Sequence, residues 1–113
     1  MEARAVSWLK GALRDFETFP PAVQLEARRG LAVAAAGGKS DKAKPLKGLD
    51  RGVFELALRY RGEAFRVVYA LSHGADVWVV HAFHKKSKTG IKTPQKEIDL
   101  IRDRVKRLKE LLR

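Results

Sequence analysis

Val53-Phe54-Glu55-Leu56-Ala57-Leu58-Arg59-Tyr60, Phe65-Arg66-Val67-Val68-Tyr69-Ala70-Leu71 and Asp76-Val77-Trp78-Val79-Val80-His81-Ala82-Phe83 follow one another with links of four residues that contain Arg61-Gly62-Glu63 and Ser72-His73-Gly74. Each run is rich in β-branched and aromatic residues, and the two links have turn composition, so the stretch reads as three strands. Connections this short leave an antiparallel meander. In the first run Phe54, Leu56, Leu58 and Tyr60 share one face and Glu55 and Arg59 the other. In the second, Phe65, Val67, Tyr69 and Leu71 share a face and Arg66 opposes them. Strict alternation along the third puts His81 with Val77, Val79 and Phe83, a packing position.

Upstream, Val6-Ser7-Trp8-Leu9 reads as a further short strand. Leu9, Leu13 and Phe16 then repeat at helical spacing until Pro20-Pro21 ends that helix near Phe19. Pro21 suits the first position of a second helix, whose stripe Val23, Ala27, Leu31 and Ala34 runs to Gly37-Gly38. Two helices so closely linked form a hairpin. Residues 37–52 have loop composition, and no regular structure is expected there. Downstream, Thr93 is a candidate N-cap for a helix starting at Pro94, with Ile98, Ile101, Val105, Leu108 and Leu112 on one face. The expected fold is α+β, a single domain over residues 1–113: N-terminal strand and helical hairpin, three-strand antiparallel meander, C-terminal helix.

The chain has 113 residues, 45% hydrophobic and 33% charged, which excludes both a disordered chain and a membrane-embedded one. No apolar run approaches the roughly 18 residues of a membrane-spanning helix, and no export signal opens the sequence. Cysteine is absent, which removes disulfides, thiolate nucleophiles and sulfur-ligated zinc, and fits cytoplasmic residence. Twenty-four Lys and Arg against 13 Asp and Glu give +11, so an anionic partner is the first expectation. The excess is concentrated: residues 84–113 hold 11 basic and 4 acidic side chains.

Lys85, Lys86, Lys88 and Lys92 crowd the loop after the third strand of the meander, where like charges repel unless an anion is near; a solvated sheet edge is the plainer reading. Arg59 and Arg66 project from the polar face of neighbouring strands, where two guanidiniums can grip a phosphate; the alternative is a cross-strand ion pair with Glu55. His84, beside the lysines, is a candidate general acid or base. Three histidines without ligand spacing give no metal site. Tyr69 and Trp78 read as core, whereas Tyr60 and Phe83 at strand ends could stack on a base. Phosphate loops, dinucleotide fingerprints and nucleophile elbows are absent.

Lys44-Pro45-Leu46-Lys47-Gly48-Leu49, Phe65-Arg66-Val67-Val68-Tyr69, and Ala82-Phe83-His84-Lys85-Lys86-Ser87-Lys88 followed by Thr93-Pro94-Gln95-Lys96-Glu97-Ile98 occur in an order that resembles the RelE/HigB-like toxins of bacterial type II toxin–antitoxin systems, in their phage-derived HigB-like branch. The resemblance implies a RelE-like fold whose basic cleft takes mRNA in the ribosomal A site. It also implies cutting without metal or other cofactor, by attack of the ribose 2′-hydroxyl on the adjacent phosphate. Arg66 then matches the arginine that contacts the scissile phosphate, Arg59 a basic residue of the preceding strand, and Lys85 and Lys86 the basic pair after the last strand. Two departures stand out. Ala57 occupies a position where RelE-like members carry lysine, and no tyrosine lies near the C-terminus, so the general base falls among His84, Glu55 and Lys86. Lys85, Lys86, Lys88, Lys92, Lys44, Lys47 and Tyr60 are the candidate RNA-binding residues. The implied partners are the ribosome, mRNA and a neutralising antitoxin, acidic or bearing a helix-turn-helix. A non-catalytic basic nucleic-acid-binding protein and a gyrase-inhibiting toxin of the same superfamily are the alternatives.

Overall fold

The computed structural model describes residues 3–85 and 92–112. In chain order the elements are β1 (Val6–Trp8), α1 (Lys10–Phe16), α2 (Pro21–Ala35), β2 (Ala43–Pro45), β3 (Val53–Tyr60), β4 (Glu63–Ala70), β5 (Val77–Lys85) and α3 (Gln95–Leu111). The strands form one sheet in the order β1-β5-β4-β3-β2. The expected meander is its centre: β3 pairs antiparallel with β4, and β4 with β5. β1 adds a parallel edge on β5.

Residues 37–52 are not all loop. Ala43–Pro45 pairs with Phe54–Leu56 as a short antiparallel edge strand. Ala43 is buried, and Pro45, which has no N–H to donate, sits where an edge strand tolerates it. Three residues containing lysine and proline carry no strand periodicity, so pairing to β3 rather than local preference creates β2.

The hairpin of α1 and α2 covers one face of the sheet, packing Phe16, Leu31, Leu56, Leu58 and Tyr69 into a core cluster. Each such side chain contributes roughly 1.5–3 kcal/mol by leaving water. An aromatic file runs through this layer, with ring centroids 4.7 Å apart for Trp8 and Phe16, 5.7 Å for Phe16 and Phe19, and 5.0 Å for Phe19 and Phe65. Gly30 lets α2 approach β3 closely: a Cβ there would lie 2.8 Å from Leu56 Cδ2. The β3–β4 hairpin turns through Arg61 (φ 51°) and Gly62 (φ 80°), the two left-handed residues of a turn whose twist matches the strands.

α3 covers the other face, burying Ile98, Ile101, Val105 and Leu108 against Val53, Val68, Ala70, Val80 and Phe83. Strict alternation fails in β5. Val79 opposes Tyr69 and His81 opposes Val68, leaving Val80 as an unpaired extra residue, a β-bulge. Val77 and Val79 therefore face the hairpin, whereas Val80 and His81 both turn toward α3. Every residue beyond the bulge is on the face opposite to the one that simple alternation assigns.

His81 fastens α3 to the sheet. Arg104 of α3 donates to His81 Nδ1 at 2.9 Å and to the Val80 carbonyl at 3.1 Å. The Nε2–H is then left to donate to Glu97 at 2.8 Å. Burial pushes His81 below the ordinary histidine value of 6.5, against the raising effect of Glu97. Because the folded state binds this proton less readily than the unfolded one, the contribution of His81 to stability is complete above 6.5 and falls as pH drops beneath it. Thermal unfolding of the wild type should therefore shift downward between pH 7 and pH 5, and the shift should be smaller in His81→Asn; parallel curves would remove His81 as the cause.

Candidate functional site

The face of the sheet turned toward α3 carries charge as well as apolar side chains, and the strand register fixes where. Lys44 opposes Glu55, Ala57 opposes Arg66, which opposes Phe83, and Arg59 opposes Ala64, which opposes Lys85. The cations thus stand in successive rows across β2 to β5. Ala57 and Ala64, diagonal neighbours, are the small, half-buried residues of these rows, flanked by Arg59, Arg66 and Lys85.

Arg66 and Glu55 meet in this layer. Arg66 Nη1 donates to Glu55 Oε1 at 2.6 Å with both side chains buried, 7% and 1% exposed respectively. The Thr93 hydroxyl donates to the other carboxylate oxygen, Oε2, at 2.6 Å. The cross-strand pair, held open as an alternative in the sequence, is the arrangement formed. Arg66 does not stand beside Arg59 as a second solvent-facing guanidinium: Arg59 is exposed and Arg66 is buried.

Lys85 completes the group and is also buried, 5% exposed. Burial pushes its ammonium below the usual 10.5, and the adjacent Arg66 guanidinium pushes the same way. The Glu55 carboxylate opposes them, and Lys44 and Arg59 add smaller lowering effects. All four groups therefore act on Lys85 through space, which places the five charges in one electrostatic unit.

A family model described as phage derived protein Gp49-like matches residues 14–106. The chain belongs to the Gp49-like family. Among solved structures it is similar to a double arginine-to-alanine mutant of the Escherichia coli toxin RelE in the free state, with TM-score 0.65, 18% identity, and 93% of this chain and 97% of that one covered. It also matches the toxin–antitoxin complex RelBE2 of Mycobacterium tuberculosis, with TM-score 0.49, 21% identity, and 77% and 97% covered. No curated protein matches by sequence. The α+β architecture of this Gp49-like chain is that of RelE.

In this Gp49-like protein the other sequence-derived candidates are divided between two faces. His84 lies on the hairpin side, stacked on Phe65 with centroids 4.5 Å apart and with Nε2 3.1 Å from Glu63 Oε1. The sheet separates it from Arg66 and Lys85. Tyr60 packs at the margin of the hairpin core with Arg61 over its ring at 5.2 Å. Lys44, Lys47 and Lys92 are exposed. Lys86 and Lys88 lie outside the described residues.

Thr93 was expected to cap α3, but no side chain caps that helix and Pro94 holds the N-cap position. The Thr93 hydroxyl is spent on Glu55 instead. Its role has no local sequence signal, because its partner is 38 residues away. The buried pair makes a stability prediction. Arg66→Ala should cost about 3–5 kcal/mol by stranding the Glu55 carboxylate in the interior. The double variant Arg66→Met, Glu55→Leu should cost clearly less than the sum of the two single changes, as read by urea unfolding; additive losses would mean the two groups do not depend on each other.

Proposed function

We propose that this chain is the toxin of a bacterial type II toxin–antitoxin pair and acts as a metal-independent endoribonuclease on mRNA held by the ribosome. The observation that carries this reading is the group of strand-borne cations, with Arg66 bonded to Glu55 and Lys85, Arg59 and Lys44 close enough to act on one another through space. Membership of the Gp49-like family and the RelE architecture support it.

Cleavage by the neighbouring ribose needs little from the protein beyond position, charge and proton transfer. The 2′-oxygen bonds to phosphorus while the bond from phosphorus to the 5′-oxygen breaks. The 2′-hydroxyl loses its proton, and the leaving 5′-oxygen gains one. A phosphate set over Ala57 and Ala64 lies among Arg59, Arg66 and Lys85, whose charge offsets the negative charge gained in the transition state. Cations carried on strands do this better than loop lysines, because their backbone positions are fixed before the substrate arrives.

Lys85 is the proton-handling residue in this reading. A buried ammonium crowded by an arginine gives up its proton more readily than a solvated one, as acid–base catalysis near neutral pH demands. Glu55, with one oxygen on Arg66 and the other on Thr93, is a positioning residue for both cations. His84, on the opposite face, takes no part. An antitoxin that covers this face would silence the protein by occupying the phosphate position, and its contacting segment would be acidic or belong to a helix-turn-helix protein. The ribosomal target makes the cytoplasm the place of action.

A non-catalytic nucleic-acid binder is the second reading, favoured by the exposure of Lys44, Lys47, Arg59 and Lys92, which would neutralise phosphates without engaging the buried group. Mapping mRNA 5′ ends after induction separates the two. The wild type should produce new ends, Lys85→Met should reduce them about a hundredfold or more at unchanged melting temperature, and Arg59→Ala should reduce them about tenfold, near 1.4 kcal/mol. Intact messages in the wild type, with oligoribonucleotide affinity that falls steeply with salt, would select the binder.

A further inference from the structure

Beside the cationic rows lies a cavity of about 470 Å³ between β2 with its following loop and the first turns of α3. Neither Ala57 nor Ala64 lines it, and it meets the catalytic group at Glu55, which forms part of its lining. On the sheet side the wall is Pro45 and Leu46; on the helix side it is Ile98. Leu46 and Ile98 belong to the core cluster under α3, so this inner wall is apolar and held by packing.

The rim has the opposite character. Lys44 and Lys47 stand on the sheet side, Lys92 and Arg102 on the helix side. Arg102 is fixed across the cavity by donating to the Gly48 carbonyl at 2.9 Å. Among the described residues Glu55 is the one carboxylate in the lining and is already engaged by Arg66 and Thr93; Arg102 is paired with Asp99 at 3.3 Å, which leaves Lys44, Lys47 and Lys92 to set the charge of the cavity. The occupant is therefore anionic. An inorganic anion alone would have no use for the wall of Pro45, Leu46 and Ile98, whereas a flat heterocycle attached to a phosphate would use both. The volume lies within the range of about 300–1,000 Å³ typical of small-molecule sites.

We infer that this cavity is a nucleotide subsite that receives one base of the RNA, with its phosphate on the rim lysines, next to the position where the backbone is cut. The inference rests on the nuclease reading for the identity of the polymer, but the binding it describes can be measured without cleavage. Lys44 joins the two places, since it lines the cavity and stands opposite Glu55 in the strand register. From β2 to β4 is two strand spacings, about 10 Å, so a chain whose base enters the cavity lays its backbone over the row of Arg66. A subsite of this kind gives the enzyme a preference at one nucleotide flanking the cut.

The four 5′-nucleoside monophosphates, inorganic phosphate and a short polyglutamate peptide are the probes, titrated into the full chain and followed through the methyl resonances of Leu46 and Ile98. Monophosphates should shift these methyls, with unequal affinities among the four bases, and phosphate should leave them in place. Gln95→Trp places a bulky side chain at an exposed position of the lining; it should weaken nucleotide binding about tenfold at unchanged melting temperature and alter the nucleotide preference at the cut. Equal shifts with inorganic phosphate, or tighter binding of polyglutamate at the same methyls, would overturn the subsite, the latter in favour of a protein partner. If cleavage persists while Gln95→Trp changes neither binding nor preference, the subsite fails and the nuclease stands; if nucleotides bind as expected but no RNA is cut, the subsite stands and the nuclease fails.

Discussion

A carboxylate and a guanidinium taken out of water together govern this fold. Glu55 and Arg66 are each costly to bury alone, and their 2.6 Å contact offsets that cost only if the geometry is held. It is held from three directions: β3 supplies Glu55, β4 supplies Arg66, and the segment leading into α3 supplies the Thr93 hydroxyl. The same pair polices strand register. A slip of one residue between strands would turn Glu55 or Arg66 into the hairpin core among Leu56, Leu58 and Val67, with no partner within reach. A charge pair that adds little net stability therefore excludes alternative pairings, and it does so in the rows where Arg59, Arg66 and Lys85 stand.

The bulge at Val80 is the second constraint, and it decides which side chains of β5 join the face of Arg66. With unbroken alternation His84 would lie on the Arg66 face and Lys85 would be driven into the hairpin core. One extra residue exchanges them: Lys85 joins Arg66 and Glu55, and His84 goes to the aromatic file beside Phe65. The two faces then differ in kind. The hairpin side is close-packed and aromatic, while the α3 side mixes apolar anchors with charges fixed by hydrogen bonds.

What was legible in the sequence follows from these two features. The meander, both hairpin helices and α3 are visible because period-2 and period-3.6 patterns reflect burial along a single element. Residues before the bulge were placed on the correct faces by counting alone, as Phe54, Leu56, Arg66 and Tyr69 show. After Val79 counting misplaces His81, His84 and Lys85, since no glycine or proline marks the bulge and Val80 packs under α3, a partner far along the chain. β2 and the bond from Thr93 to Glu55 were hidden for a related reason: both are made by a partner far along the chain, and neither Ala43–Pro45 nor Thr93 carries a local pattern that announces it. The resemblance in wording to RelE-like chains reached the fold, but it could not reveal that Arg66 is engaged by Glu55.

α3 is not fastened evenly along its length, and this bears on how the charged face operates. Its middle and end are anchored by Ile101, Val105 and Leu108 and by the contacts of Arg104 with His81 and the Val80 carbonyl. Its beginning is tied through Ile98, the bond of Glu97 to His81 and the Thr93 hydroxyl, and no side chain caps its first turn. The first turn of α3 is thus held in part by a polar bond to the buried pair of Arg66 and Glu55. An anion approaching Arg66 competes with Glu55 for the guanidinium, and any shift of the carboxylate is felt at Thr93 and so at the first turn of α3. Anion binding at Arg66 and the position of the helix start are in this way parts of one equilibrium, since Glu55 is bonded both to Arg66 and to the segment that leads into α3.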